Sequence, residues 1–141
     1  KANKEVVQDW GAIGLNAHKE AIGNEAKKAL NQALSDSSPS VRIEAANTLI
    51  KRGMPDLALS VLIQELEHQN LIVVTHAART IELLGKKAKA ARKAMQRCLI
   101  RAHKIRPPDL SPVIVLPGDQ DMAMFVGFSC QAFLNKIKED L

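Results

Sequence analysis

The sequence predicts an all-α protein, an α-solenoid of about four helix pairs with the first and last irregular. Three observations predict it. A nine-residue window recurs along the chain, amphipathic stretches bounded by turn signals lie between its copies, and the composition is poor in aromatics. Of 141 residues, 46% are apolar, 25% charged and 3% aromatic, with no Tyr. Helix pairs rich in Ala and Leu fill a solenoid core without large rings. The length suits one domain, so residues 1–141 read as a single repeat domain. A chain of this size buries roughly 68–70% of its unfolded surface and needs no metal or disulfide to fold. It begins at Lys1 without Met, which reads as a piece of a longer protein.

Four windows align. They run Val7 to Leu15, Val41 to Leu49, Val73 to Ile81 and Val126 to Leu134, with starts 34, 32 and 53 residues apart. Each opens with Val and closes with Leu or Ile eight positions on. The first three carry small pairs in the middle: Gly11-Ala12, Ala45-Ala46 and Ala77-Ala78. Residues four apart stack along one helix face, and a small residue there lets a neighbouring helix approach closely. Amphipathic stretches intervene at Ala26 to Leu34, Leu57 to Leu66 and Ala88 to Ile105. Asp36-Ser-Ser-Pro39 precedes one window, and Gly53-Met-Pro55-Asp56 starts the next helix with Pro near its first turn. Gly85 follows Leu84 as a stop.

The run Asp36-Ser-Ser-Pro-Ser-Val-Arg-Ile-Glu-Ala-Ala-Asn-Thr-Leu49 resembles the HEAT-like repeat signature D-x-x-P-x-V-R-x-x-A-A-x-x-L. The next unit keeps Val, both alanines and the final aliphatic, but has Asn70-Leu71 for the Asp-Pro end and Val74 for the Arg. In the last unit Cys130 and Gln131 replace the alanine pair. A narrower resemblance rests on order: Trp10-Gly-Ala-Ile-Gly-Leu15, Ser35 to Arg42, Gly53 with Asp56 to Leu62, then Asn70 to Gly85. This order is similar to the HEAT-like tail that follows the catalytic domain of some bacterial sulfatases. The resemblance implies an exported parent, periplasmic or extracellular. Its Ca²⁺-dependent catalytic domain, lying outside this chain, would hydrolyse sulfate esters.

The residues here do not compose a hydrolytic site of their own. A sulfatase nucleophile sits in a C/S-x-P-x-R context. Ser37 and Ser38 precede Pro39, but the next arginine, Arg42, is on the repeat helix. Cys98 and Cys130 have no nearby Pro. His18, His68, His76 and His103 never pair at the i,i+4 spacing that puts two ligands on one helix face, and read as solvated or satisfied. Asp119 and Asp121 faintly resemble a cation loop, but the Glu that closes a Ca²⁺ loop is missing. No catalytic residue, cofactor or metal is therefore expected. The two cysteines form no C-x-x-C motif and are expected as free buried thiols. No apolar run approaches the roughly 18 residues of a membrane span.

Charge is concentrated rather than spread. Residues 86–106 hold 9 basic residues and no acid. Residues 1–85 hold 9 basic against 10 acidic, and residues 107–141 hold 2 against 5. On one helix Lys86, Lys89, Lys93, Arg97, Arg101 and Lys104 fall on one arc. Ala88, Ala91, Met95, Cys98, Leu99, Ala102 and Ile105 fall on the opposite, inward arc. Like charges at this spacing repel by a few tenths of a kcal/mol per pair. A solvated outer face, pairing with acids of the missing domain, is the preferred reading. The alternative is an anion-binding ridge for nucleic acid, anionic polysaccharide or an acidic protein patch.

The stretch from Arg106 to Gln120 carries four prolines and ends the basic helix. It reads as an extended loop whose apolar Val113 to Leu116 packs on the solenoid, with partner contact as the second option. The expected work is thus structural or binding. The partner is the chain's own catalytic domain or another protein, with an anionic polymer or a free-standing scaffold role as the alternative. A HEAT-like DNA glycosylase would want aromatic and acidic residues in a basic groove, and Trp10 alone supplies little of that.

Overall fold

A computed structural model describes residues 23–109 and 118–138. The first window, Trp10, His18 and the apolar core of the Pro-rich stretch lie outside the described residues. All regular structure among the described residues is helical: α1 (Asn24–Ala33), α2 (Pro39–Lys51), α3 (Asp56–Glu65), α4 (Leu71–Leu84), a 3-10 segment (Gly85–Ala91), α5 (Arg92–Ile105) and α6 (Asp119–Lys138). The chain divides into two compact units, residues 1–62 and 63–141.

In the first unit α1 packs on α2 and buries Leu30 and Leu34. Glu25 lies in the first turn of α1, where a negative charge suits the helix dipole. The turn before α2 is built from the signature residues. Asp36 Oδ1 accepts from the Ser38 N–H at 2.9 Å, and Pro39 follows in the first turn, where its missing N–H leaves nothing unsatisfied. Arg42 then reaches back. Its Nη1 donates to the carbonyls of Asp36 at 2.7 Å and Ser37 at 3.2 Å. Val41, Ala45, Ala46 and Leu49 are buried along one stripe of α2, as the window requires. Gly53 ends the helix at φ 79°, and Met54 N–H reaches the Leu49 carbonyl at 2.9 Å, satisfying an orphan acceptor of the last turn.

In the second unit α6 packs along both α4 and α5. The stripe Val74, Ala77, Ala78 and Ile81 of α4 is fully buried. It belongs to a core shared with Met95, Cys98 and Ala102 of α5 and with Val126, Cys130, Phe133 and Ile137 of α6. Burying the Phe133 ring contributes roughly 1.5–3 kcal/mol. The fourth window departs at its centre. Cys130 is buried at the place of Ala45 and Ala77, but Gln131, at the place of Ala46 and Ala78, is exposed. Gly85 closes α4 at φ 54°, and the Lys136 stem lies over it, 3.5 Å from where a Cβ would stand.

Candidate functional site

The cationic segment is not one helix. Residues 85–91 run as a 3-10 segment with Ala88 at φ −108° and ψ 20°, outside helical values, and α5 begins only at Arg92. The physical reason is local. Gly85 breaks α4, and the following residues form a tight connector that buries Ala88 and Ala91. The single arc expected over residues 86–104 is therefore interrupted. Lys86 and Lys89 belong to the connector, while Lys93, Arg97, Arg101 and Lys104 belong to α5. The inward set stands largely as expected. Ala88, Ala91, Met95, Cys98 and Ala102 are buried, with Leu99 and Ile105 half-buried.

Arg101 differs from its neighbours. Its guanidinium donates through Nη1 to the Leu66 carbonyl at 3.1 Å and through Nη2 to the His68 carbonyl at 2.8 Å. It thus ties α5 to the turn that opens α4. Lys86, Lys89, Lys93, Arg97 and Lys104 are exposed. Arg97 stands 4.0 Å from Glu67, with both side chains 61% exposed, a contact that solvent screens heavily.

One exposed residue on this face is apolar. Ile100 is 57% exposed and shares a narrow face of α5 with Lys93, Arg97 and Lys104, at steps of four, three and four. Counting charges alone passes over it. The signal was present in the helical spacing, which places Ile100 on the cationic arc rather than the buried one.

The other polar candidates have structural partners. His68 Nδ1 accepts from the Asn70 N–H at 3.0 Å. Asn70 caps α4 by accepting from the Ile72 N–H at 2.9 Å. His76 is half-buried within α4. Asp121 pairs with the buried Arg106 at 3.1 Å, and Asp119 opens α6. No cluster of three His, Cys, Asp or Glu suited to a metal occurs among the described residues. Between α5 and α6 lies a cleft of about 300 Å³, lined by His103, Pro107, Met124, Phe128 and Gln131 among others. Phe128, 58% exposed, also lines a second hollow beside Thr75 and Arg79 of α4.

Cys98 and Cys130 are free, buried thiols that neighbour one another across the α5–α6 contact. Cys98 is held below the usual thiol range by the Cys130 hydrogen bond, against the opposing effect of burial, with the Arg101 charge assisting. Cys130 is pushed far above it by the same hydrogen bond and by burial.

The HEAT-repeat family model matches residues 3–82, more than half of the chain. The chain belongs to the HEAT-repeat family, an all-α solenoid class whose members serve structural and protein-interaction roles and are typically non-catalytic. The match covers the first three windows and stops before the fourth, where Gln131 breaks the alanine pair. No curated protein and no solved structure gives a significant match. No described helix is long and apolar enough to cross a membrane.

Proposed function

We propose that this chain is a non-catalytic interaction module that receives an acidic, amphipathic protein segment on the outward face of α5. The observation that supports this reading is Ile100, exposed among Lys93, Arg97 and Lys104. Cations alone suit any polyanion, but an aliphatic side chain in their midst gains free energy only against an apolar surface. A phosphate backbone offers none. A protein segment with acids flanking an aliphatic residue supplies both.

The sequence resemblance gives this reading a specific form, in which the partner surface is the catalytic domain of a sulfatase that carries the module as its C-terminal part. It rests on the order of Trp10 to Leu15, Ser35 to Arg42 and Asp56 to Leu62. A C/S-x-P-x-R motif encoded upstream of Lys1 is the expected finding, and its absence removes this form while leaving the interaction module standing.

The second reading is a free-standing scaffold that binds an anionic polymer through residues 86–106, supported by 9 basic residues with no acid among them. One experiment separates the two. Fluorescence anisotropy would compare acidic 15-residue peptides carrying leucines at helical spacing with heparin and duplex DNA, at low and moderate salt. The protein reading expects the Ile100→Ser variant to weaken peptide binding and leave polymer binding alone. Binding to polymers only, indifferent to Ile100 and steeply weakened by salt, would select the scaffold reading instead.

A further inference from the structure

Three sulfur atoms from two helices meet inside the second unit. Met95 and Cys98 lie three residues apart on the buried face of α5, and Cys130 faces them from α6. Cys130 Sγ is 3.9 Å from Met95 Sδ, and Cys98, three residues from Met95 on the same buried face, neighbours Cys130. All three residues are nearly or fully buried. Packing alone does not call for sulfur at this place, since Ala45 and Ala77 fill the same position in the two other described windows.

We propose that Met95, Cys98 and Cys130 form a binding site for one Cu(I) ion. Metal–sulfur bonds of about 2.3 Å in a trigonal plane set the sulfurs about 4 Å apart, which is the Met95 to Cys130 spacing. Two thiolates and a thioether are soft ligands, and soft ligands select Cu(I). Zn²⁺ calls for a fourth donor. No further His, Cys, Asp or Glu joins the pair to make a group of three among the described residues.

Binding is an exchange without redox change. Cu⁺ enters, the two thiols release two protons to water, and the Met95 thioether binds unchanged, leaving a site of net charge −1. Arg101, one turn beyond Cys98, is fixed by the Leu66 and His68 carbonyls and places a permanent positive charge near that anion.

The test is an oxygen-free titration of the reduced full chain with Cu(I), supplied as its acetonitrile complex, in competition with a colorimetric Cu(I) chelator. The expected result is one equivalent withheld from the chelator, near-UV thiolate-to-copper absorption, unchanged helical circular dichroism and a Tm raised by roughly 5 °C. Cys130→Ala, the residue of the other windows, should abolish retention. Met95→Leu keeps the core volume and should weaken retention by about tenfold or more, the scale on which even residues that support a metal site act. Full loss of copper to the chelator would overturn the site. So would full retention in both variants, or binding that proceeds only with loss of helical signal.

Discussion

The turn before α2 and the turn before α4 lie 32 residues apart in the repeat and are stitched by the same pair of interactions. In each, a side chain accepts from the N–H two residues on: Asp36 from Ser38, and His68 from Asn70. In each, a guanidinium binds carbonyls of the turn. Before α2 it comes from Arg42, inside the signature. Before α4 it comes from Arg101, 33 residues beyond His68 and on another helix. Burial explains the exchange. The place of Arg42 is half-buried in α2, but its counterpart Val74 is fully buried in α4, while Val73 moves outward. A small rotation of the helix start turned the arginine position into the core. The guanidinium then had to arrive from outside the repeat. What persists between the two units is the interaction, not the residue.

The strongest way to break this comparison is to restore the signature. Val74→Arg should destabilise the chain by about 3–5 kcal/mol, because it places an uncompensated charge in the core. Urea unfolding followed by circular dichroism reads this, and a neutral result would show that a guanidinium at that place reaches the turn after all. Next in size is Arg101→Met, expected to cost about 2–3 kcal/mol by leaving two carbonyls without their charged donor. Amide exchange should quicken at residues 68–72 and stay unchanged in α2, and the opposite pattern would detach Arg101 from the turn. Arg42→Met should cost about 1–2 kcal/mol, since one of the two bonds to the turn carbonyls is exposed, with faster exchange confined to residues 38–42. Smallest is Arg97→Gln. Its contact with Glu67 is long and wet, so unfolding should shift by no more than about 0.5 kcal/mol. A larger shift would mean that Arg97 shares the structural work of Arg101.

The same contrast shows why some features were legible and others were not. The stop at Gly85, the turn at Gly53 and the buried pairs Ala45-Ala46 and Ala77-Ala78 follow from spacing and local backbone chemistry, and the structure places them as read. The six-cation arc was less legible. Helical periodicity assumes an unbroken helix, and the 3-10 connector through Ala88 breaks it. Arg101 read as one more surface cation because its partners, Leu66 and His68, are distant in sequence. That both cysteines are buried, free thiols was legible in the sequence. That Met95 meets Cys130 depends on the register of α5 against α6.

By itself the sequence determined that the described residues are helical, where the turns at Asp36–Pro39, Gly53 and Gly85 fall, and which stripe of α2 and α4 turns inward. These are consequences of short-range chemistry, of proline, glycine, capping side chains and the 3.6-residue turn. Only the tertiary structure decided which cations remain on the surface and where the sulfurs of α5 and α6 converge. Those outcomes depend on how one helix lies against another, a relation fixed by side-chain packing between segments that no local pattern records.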